Sequence, residues 1–395
     1  SFCQQCHCAD GKDPRSALTM DAAGNLYGTT TAGGSAGVGT IYKLSRNDRG
    51  KWKQKVLHSF CSAPSCTDGS TPWGGVVIDG NGNLYGTTMD GGARGKGVVY
   101  RWSRKSFQVL HDFCSQKRCA DGHESWKSLT YAGAASGVMY DGSSPLYGVT
   151  YNGGLGQGGV VFQISRKHGV WSESGVYAFC EAGDPCADGS HPVAPLMVDA
   201  AGNLFGTTIH GGVSLSGYGG VLFKLTPAGS GDWAETVLHK FCSSPNCEDG
   251  AYPRGGLIAD AAGNLFGTTT TGGVSNQGSA GTVYKYGVDS AFSVLHTFCI
   301  PTCPDGFDPD AGVIMDQAGS LFGTTPYGGV TFDSGGTVFR LGPSFDVLYT
   351  FCAQQDCVDG NGPTGGVIQD AAGNLFGATE KGGLNDDGTI YELAP

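Results

Sequence analysis

The chain has 395 residues, of which 69 are glycine, 39% are hydrophobic and only 15% are charged. Glycine does not recur at every third position, which excludes collagen, and the aromatic content excludes a disordered chain. The net charge of −11 disfavours nucleic acid as a partner, and no apolar run is long enough for a membrane span.

A short phrase, N-L-[Y/F]-G-T-T with small variations, recurs seven times between Asn25 and Thr379. Seven copies at a period near 60 residues indicate one repeat architecture over residues 1–395 rather than several domains. Its central glycines are Gly28, Gly86, Gly148, Gly206, Gly267, Gly323 and Gly377.

Each copy is predicted to contain four short strands. In the second copy these are Gly75–Asp79, Leu84–Met89, Val98–Ser103 and Phe107–Phe113, which are rich in Val, Ile, Thr and Tyr and separated by glycine turns. Four antiparallel strands repeated seven times predict an all-β, seven-bladed β-propeller. The third copy departs most, because Ala132–Ser144 alters its first hairpin.

The two ends of the chain resemble parts of one repeat. The last copy supplies three strands, Gly366–Asp370, Leu375–Glu380 and Thr389–Leu393, and Ser1–Gly11 matches Ser59–Gly69. We therefore expect the N- and C-terminal segments to close the ring in one blade. We expect the outer strand of this blade to be incomplete, and we expect preceding residues or a partner chain to supply the missing part.

Fourteen of the fifteen cysteines form seven local pairs, which predict about one disulfide per blade and an exported protein. A zinc site is disfavoured because two cysteines per loop cannot complete four ligands. The predicted pairs are Cys3/Cys8, Cys61/Cys66, Cys114/Cys119, Cys180/Cys186, Cys242/Cys247, Cys299/Cys303 and Cys352/Cys357.

The remaining cysteine, Cys6, lies in Cys3-Gln4-Gln5-Cys6-His7, which matches the attachment motif of c-type haem. Two thioethers and the His7 imidazole would hold the porphyrin. The other interpretations of Cys6 are an intermolecular crosslink and a free thiol.

Aspartates follow the second cysteine of every pair, as in Asp68-Gly69. Their recurrence predicts that each carboxylate caps turn amides; a calcium site is the alternative, although it needs six or more oxygens. The outer-strand residues His58, His111, His239 and His296 recur likewise and are expected to be structural.

The loops that join successive blades and those between second and third strands are expected on one face, where ligands would bind. Non-repeating polar and aromatic side chains gather there in blades three to six, near Trp73, Trp126 and Asp310. The predicted ligand-binding residues are His123, Glu124, Tyr151, His191, His210, Tyr252, Arg254 and Tyr327.

These residue types favour a carbohydrate-binding or scaffold module, since aromatic rings stack on sugars and polar groups bind hydroxyls. One alternative is a polysaccharide-cleaving enzyme, a lyase or glycosidase, on the same face, in which His or Tyr moves a proton and Arg holds a uronate. Another is a structural subunit of an extracellular assembly that self-associates through Cys6 or the incomplete blade. No metal site or catalytic set is assigned.

The pattern D-G-x-x-P, D-x-x-G-N-L-[Y/F]-G-T-T and G-G resembles the bacterial Gly/Cys-rich tandem repeat family called GloVer, over essentially the whole chain. The resemblance implies an exported, often surface-anchored protein and no particular activity.

Overall fold

The computed structural model describes residues 1–134, 137–183, 185–212, 219–229, 231–273, 280–298, 304–329 and 335–395. Their strands form seven antiparallel sheets, which are the seven blades of a β-propeller. Four sheets have four strands, one has five, and the described parts of blades three and seven have three. The predicted fold is therefore confirmed.

The strands follow one another along the chain, blade by blade. Blade one contains β1 (Thr19–Met20), β2 (Leu26–Thr30), β3 (Thr40–Arg46) and β4 (Trp52–Ser59), and blade two contains β5 (Val77–Ile78), β6 (Leu84–Thr87), β7 (Val98–Trp102) and β8 (Phe107–Asp112). Blade three contains β9 (Leu146–Thr150), β10 (Val160–Lys167) and β11 (Val170–Ala178). Blade four contains β12 (Ser190–Pro192), β13 (Met197–Val198), β14 (Leu204–His210), β15 (Val221–Gly229) and β16 (Asp232–Lys240).

Blades five to seven repeat this arrangement. Blade five contains β17 (Ile258–Ala259), β18 (Leu265–Thr269), β19 (Thr282–Tyr286) and β20 (Phe292–Thr297). Blade six contains β21 (Ile314–Met315), β22 (Leu321–Thr325), β23 (Thr337–Leu341) and β24 (Phe345–Thr350), and blade seven contains β25 (Val367–Gln369), β26 (Leu375–Thr379) and β27 (Thr389–Leu393). The short 3₁₀ turns are Cys6–Cys8, Pro64–Cys66, Lys117–Cys119, Pro245–Cys247 and Gln355–Cys357. No helix among the described residues has the length and apolar character that crossing a membrane requires.

Blade three has the irregular inner edge expected from its sequence. Its innermost pairing is a single bridge between Thr130 and Tyr147. Tyr140 packs against Tyr85 of blade two, with ring centroids 5.2 Å apart, and Asp79 bridges to Tyr140. The altered hairpin therefore contacts the preceding blade.

The first residues of the chain lie against blade seven. The Phe2 N–H donates to the Gly388 carbonyl at 3.0 Å, as the Phe60 N–H, just after the outer strand of blade one, donates to the Gly39 carbonyl of the same blade. Lys12 pairs with Asp387 at 2.7 Å. The source of an outer strand for blade seven stays a prediction.

The recurrent glycine of each copy is needed for close packing inside the blade. A Cβ added at Gly206 would lie 2.5 Å from Phe223 Cζ and 2.7 Å from Leu196 Cδ2. In blade five a Cβ added at Gly267 would lie 2.5 Å from the Tyr284 hydroxyl oxygen. The aromatic residue of each third strand thus rests on a bare Cα of the second strand.

Six of the predicted disulfides are present in the described residues, while Cys299 and Cys303 lie outside them. The bonded pairs are Cys3–Cys8, Cys61–Cys66, Cys114–Cys119, Cys180–Cys186, Cys242–Cys247 and Cys352–Cys357. Each closes the loop that leads from one blade to the next.

The recurrent aspartate organises this same loop. Asp68 accepts hydrogen bonds from the N–H groups of Ser62 and Ala63 at 3.0 and 3.2 Å, and it lies 3.1 Å from His58 Nε2. Asp121 and Asp249 make equivalent contacts with His111 and His239. These carboxylates therefore cap the turn as predicted, and the outer-strand histidines are structural.

Candidate functional site

The two kinds of loop that were expected on one face are joined there. The residue after each Asp-Gly pair bridges to the residue that follows the second strand of its own blade, as in Ser70 with Asp90 and Ala251 with Thr271. Blade four forms the same connection between Ser190 and His210. All seven blades contribute to this face, so the prediction is confirmed.

A left-handed residue stands two positions after the Asp-Gly pair in every blade. Thr71 has φ of 55° and Tyr252 has φ of 54°, and only blade seven uses glycine, Gly362 with φ of 71°. The N–H of this residue donates to a carbonyl of the preceding blade, as Thr71 does to Val38 at 2.9 Å. Left-handed backbone costs about 1–2 kcal/mol for a residue with a Cβ, so the blade contacts hold these side chains in place. The seven residues are Asp13, Thr71, Glu124, His191, Tyr252, Asp308 and Gly362.

The residue that follows the proline of each repeat, or Ser125 in blade three, lies at the mouth of the central channel. Each blade contributes one such residue, and we call the set the mouth ring. The ring lines the cavities at this end of the channel, which we call the mouth cavity. The mouth ring consists of Arg15, Trp73, Trp126, Val193, Arg254, Asp310 and Thr364.

Stacked side chains run along one side of the mouth. The Arg15 guanidinium lies over the Trp73 ring, 4.7 Å from its centroid. Trp73 and Trp126 stack with centroids 5.5 Å apart, and Trp126 and Tyr151 stack at 4.8 Å. Trp126 is covered on both ring faces, so it presents its edge to the cavity.

The aromatic contacts continue through blade four. Tyr151 lies 4.7 Å from His191, His191 lies 5.3 Å from His210, and His210 lies 5.5 Å from Tyr252, measured between ring centroids. Four of the predicted site residues therefore form one continuous row. Neither histidine lines the mouth cavity; both lie behind the residues that do.

Ion pairs join different blades around the mouth. Lys127 Nζ lies 3.5 Å from Asp310 Oδ2, and Arg254 Nη1 lies 3.7 Å from Asp310 Oδ1. Arg15 pairs with Glu380, which follows β26 in blade seven. Because blades three, five and six meet at one carboxylate, the mouth is narrow enough for a small group to contact several blades at once.

Burial changes the protonation of three groups around the mouth. Burial, and then the charge of Arg254, lowers the pKa of His210, while burial and then His210 lower the pKa of His191. Burial, and then the neighbouring Asp310, raises the pKa of Asp308 to about 6. Both imidazoles are therefore neutral near pH 7, when Asp308 is mostly ionised.

The other predicted site residues lie toward the rim. His123 Nδ1 lies 3.1 Å from Glu124 Oε1, and Glu124 accepts a hydrogen bond from Asn152 Nδ2 at 2.8 Å. Neither His123 nor Glu124 lines the mouth cavity. Tyr327 does line it, and 42% of this residue is exposed.

Several cavity residues escaped the sequence-based selection. Arg15, Lys127, Thr364 and Glu380 line the mouth cavity but were not selected as ligand-binding residues. The position after the repeat proline would have identified Arg15 and Thr364, because the residue at this position lines the mouth in every blade. The position varies widely in chemical type while its neighbours repeat.

The cysteine-rich N-terminus gives no cofactor assignment. Cys3 is bonded to Cys8, so haem attachment through Cys3 and Cys6 would require that disulfide to be absent. Cys6 is exposed, and its Sγ lies 3.0 Å from His7 Nδ1. Cys3, Cys8 and Asp387 are the only metal-sized group of ligand atoms within the described ranges, and both sulfurs are already in the disulfide.

Several solved structures resemble this chain at low sequence identity. NanB sialidase from Streptococcus pneumoniae, as a mutant, has a TM-score of 0.44 at 12% identity, covering 100% of this chain and 70% of its own. A luciferin-regenerating enzyme has a TM-score of 0.43 at 12% identity, covering 85% of this chain and 94% of its own. PorZ, a surface component of the type-IX secretion system of Porphyromonas gingivalis, has a TM-score of 0.40 at 9% identity, covering 98% of this chain and 60% of its own. These likenesses are too distant to carry an inference about activity.

The sequence was also compared with curated proteins and with protein families. No curated protein matches this chain. The Gloeobacter/Verrucomicrobia repeat matches residues 2–144, 50–280 and 220–395, overlapping segments that span nearly the whole chain. The chain therefore belongs to the Gloeobacter/Verrucomicrobia repeat family, in agreement with the resemblance seen in its repeated motif.

Proposed function

We propose that this chain is an exported carbohydrate-binding module whose ligand lies in the mouth cavity. The observation that carries the proposal is the composition of that cavity, in which aromatic rings, carboxylates and cations face one small space. A sugar hydroxyl both donates and accepts hydrogen bonds. Asp310 and Glu380 can accept from it, and Arg15 and Arg254 can donate to it.

The exposed ring of Tyr327 supports the same proposal. The rings of Trp73, Trp126 and Tyr151 stack on one another, so a sugar meets mainly their edges. Tyr327 stacks on Phe307 at 5.4 Å and remains 42% exposed at the cavity wall. It is the side chain best placed to receive the apolar face of a sugar ring.

The disulfides support export. Six local disulfides are typical of an oxidising compartment and uncommon in cytosolic proteins. A rigid ring that presents variable side chains on one face suits an extracellular binding module.

The test is a glycan array followed by titration calorimetry on the best ligand. Glu380→Gln and Tyr327→Ala should each weaken binding about tenfold or more, because the first replaces an acceptor oxygen of the cavity wall by an amide and the second removes the stacking ring. Asp346→Asn is the matched control, since Asp346 is also paired with an arginine of blade six, Arg340 at 2.7 Å, on the outer strand away from the mouth. Absence of glycan binding, or equal loss in all three variants, would refute the proposal.

A second candidate function, cleavage of an acidic polysaccharide, is favoured by the histidine pair. His191 and His210 are neutral near pH 7 and lie behind Tyr252, which lines the cavity with Arg254. In cleavage an imidazole, acting through Tyr252, would take the proton next to a uronate carboxyl group while the glycosidic C–O bond breaks. The departing sugar oxygen then takes a proton from a neighbouring acid. Unsaturated products, detected by ultraviolet absorbance and lost in His210→Gln, would support cleavage over binding alone.

A further inference from the structure

Three members of the mouth ring carry a polar atom that lacks a hydrogen-bond partner. Trp126 Nε1, Arg254 Nε and Thr364 Oγ1 are buried and make no hydrogen bond within the part of the chain that the structure describes. A buried polar atom left unpaired costs about 1–3 kcal/mol. Such atoms in a cavity therefore indicate that something else completes their bonding.

The three atoms belong to alternate blades. They come from blades three, five and seven, so they surround the channel axis rather than one side of it. Lys127 and Asp310, from blades three and six, approach to 3.5 Å across the same space. Trp126, Lys127, Arg254 and Asp310 line one cavity, so a single small group there can meet side chains from blades three, five and six.

The missing partner must be an acceptor. The indole N–H and the guanidinium of Arg254 can only donate, as can the Lys127 ammonium. Lys127 and Arg254 share one carboxylate, that of Asp310. Its oxygens lie 3.5 Å from Lys127 Nζ and 3.7 Å from Arg254 Nη1, well beyond the roughly 2.7–2.9 Å of a charge-assisted hydrogen bond. Both cations therefore keep donor capacity for a further anionic oxygen.

We propose that the mouth cavity recognises the carboxylate of an acidic sugar, held by Trp126 Nε1, Arg254 and Lys127, which line one cavity. This inference rests on the proposed carbohydrate binding and narrows it to uronic acid polymers. A carboxylate has two oxygens and can accept from the indole and the guanidinium together. The stacked Trp73 and Tyr151 hold the Trp126 edge in the required direction.

The test compares free-acid uronic oligosaccharides with the methyl esters of the same oligosaccharides by titration calorimetry on the full chain. The two probes differ only in the carboxyl charge. We expect the free acid to bind at least about tenfold more tightly, as for a hydrogen bond to a charged group. Trp126→Phe should remove most of this preference, because it keeps the stacked ring and deletes the N–H.

Trp171→Phe is the matched control, since Trp171 lies in β11 against Tyr85, does not line the mouth cavity, and its indole nitrogen is not among the buried unpaired atoms. This variant should keep the preference for the free acid. Unchanged unfolding midpoints of both variants show that folding is intact. Arg254→Lys keeps the charge, loses Nε and should lower the preference as well.

The outcomes separate the two proposals. Equal binding of acid and ester, or a preference that survives in Trp126→Phe, would overturn the acidic-sugar inference and leave carbohydrate binding standing. Binding of neutral or sulfated glycans alone would do the same. Failure to bind any glycan would overturn both.

Discussion

Two partly buried glutamates at neighbouring blade seams make the stability of this propeller depend on pH. Glu173 in β11 and Glu235 in β16 occupy the strand position that Gln54 occupies in β4. In both glutamates Oε1 is buried and has no hydrogen-bond partner among the described residues. Burial, and then Asp121 for Glu173 or Asp188 for Glu235, raises the pKa of each to about 7.

A carboxyl whose pKa is raised in the folded state stabilises the fold only while it keeps its proton. The contribution of Glu173 and Glu235 is therefore complete below their ordinary pKa of 4.5 and is lost as the pH rises through about 7. At about 1.4 kcal/mol per pKa unit the full loss is roughly 3 kcal/mol for each group. Both side chains are only partly buried, so solvent screening reduces this to about 1 kcal/mol each.

The perturbation is Glu173→Gln with Glu235→Gln, which installs the amide that blade one already carries at Gln54. We expect the double variant to gain about 2 kcal/mol near pH 8 and almost nothing near pH 4.5. The assay is urea unfolding at both pH values, with the disulfides intact. Glu181→Gln, at an exposed position, is the control and should change little at either pH.

Two results would refute the reasoning about these seams. One is a gain of equal size at both pH values, which would mean that the amide packs better for reasons unrelated to charge. The other is a loss near pH 8, which would mean that the ionised carboxylates have partners that stabilise them.

Three further predictions concern packing, backbone and binding. Gly206→Ala should destabilise the protein by about 2 kcal/mol in urea unfolding, because its Cβ would meet Phe223 and Leu196, whereas Gly175→Ala, with open space around it, should cost far less. Thr71→Gly should raise the unfolding free energy by about 1 kcal/mol by relieving left-handed strain, and a loss of stability would show that the threonine side chain, not the backbone, matters there. Binding of a free-acid oligosaccharide should weaken as the pH rises through about 6, where Asp308 ionises beside Asp310; affinity by calorimetry that is constant across this range would contradict it.

The repeat made the strands predictable to within one or two residues. In blade two the expected strand Val98–Ser103 is observed as Val98–Trp102, and Phe107–Phe113 is observed as Phe107–Asp112. Glycine turns mark the ends of each strand, and the same pattern recurs in all seven copies. The disulfides followed from the same regularity, because each cysteine pair is local.

The arrangement around the channel could not be predicted in the same way. Tyr252 and Arg254 are two residues apart, and their sequence does not show that Arg254 reaches Asp310 of the next blade while Tyr252 turns toward His210. That difference depends on the left-handed backbone at Tyr252 and on the angle between neighbouring blades. The contact of Arg15 with Trp73 crosses between blades for the same reason.

The unpaired buried atoms of this protein fall into groups with different meanings. Four of them are the tyrosine hydroxyls that rest on the recurrent glycines, Tyr42, Tyr100, Tyr284 and Tyr391. Phe223 fills the same position without a hydroxyl in blade four, so the oxygen is dispensable to the fold and its lack of a partner indicates no ligand.

The unpaired atoms of the mouth ring have no such repeated counterpart. Trp126, Arg254 and Thr364 occupy equivalent positions in three blades, yet their side chains differ in chemical type. The fold requires a left-handed residue followed by proline, or by Ser125 in blade three, at this point of each blade. It does not determine the side chain of the mouth-ring residue that comes next. Because Trp126 and Arg254 line the same cavity as Lys127 and Asp310, their unpaired donors are better explained by a ligand than by the requirements of the propeller.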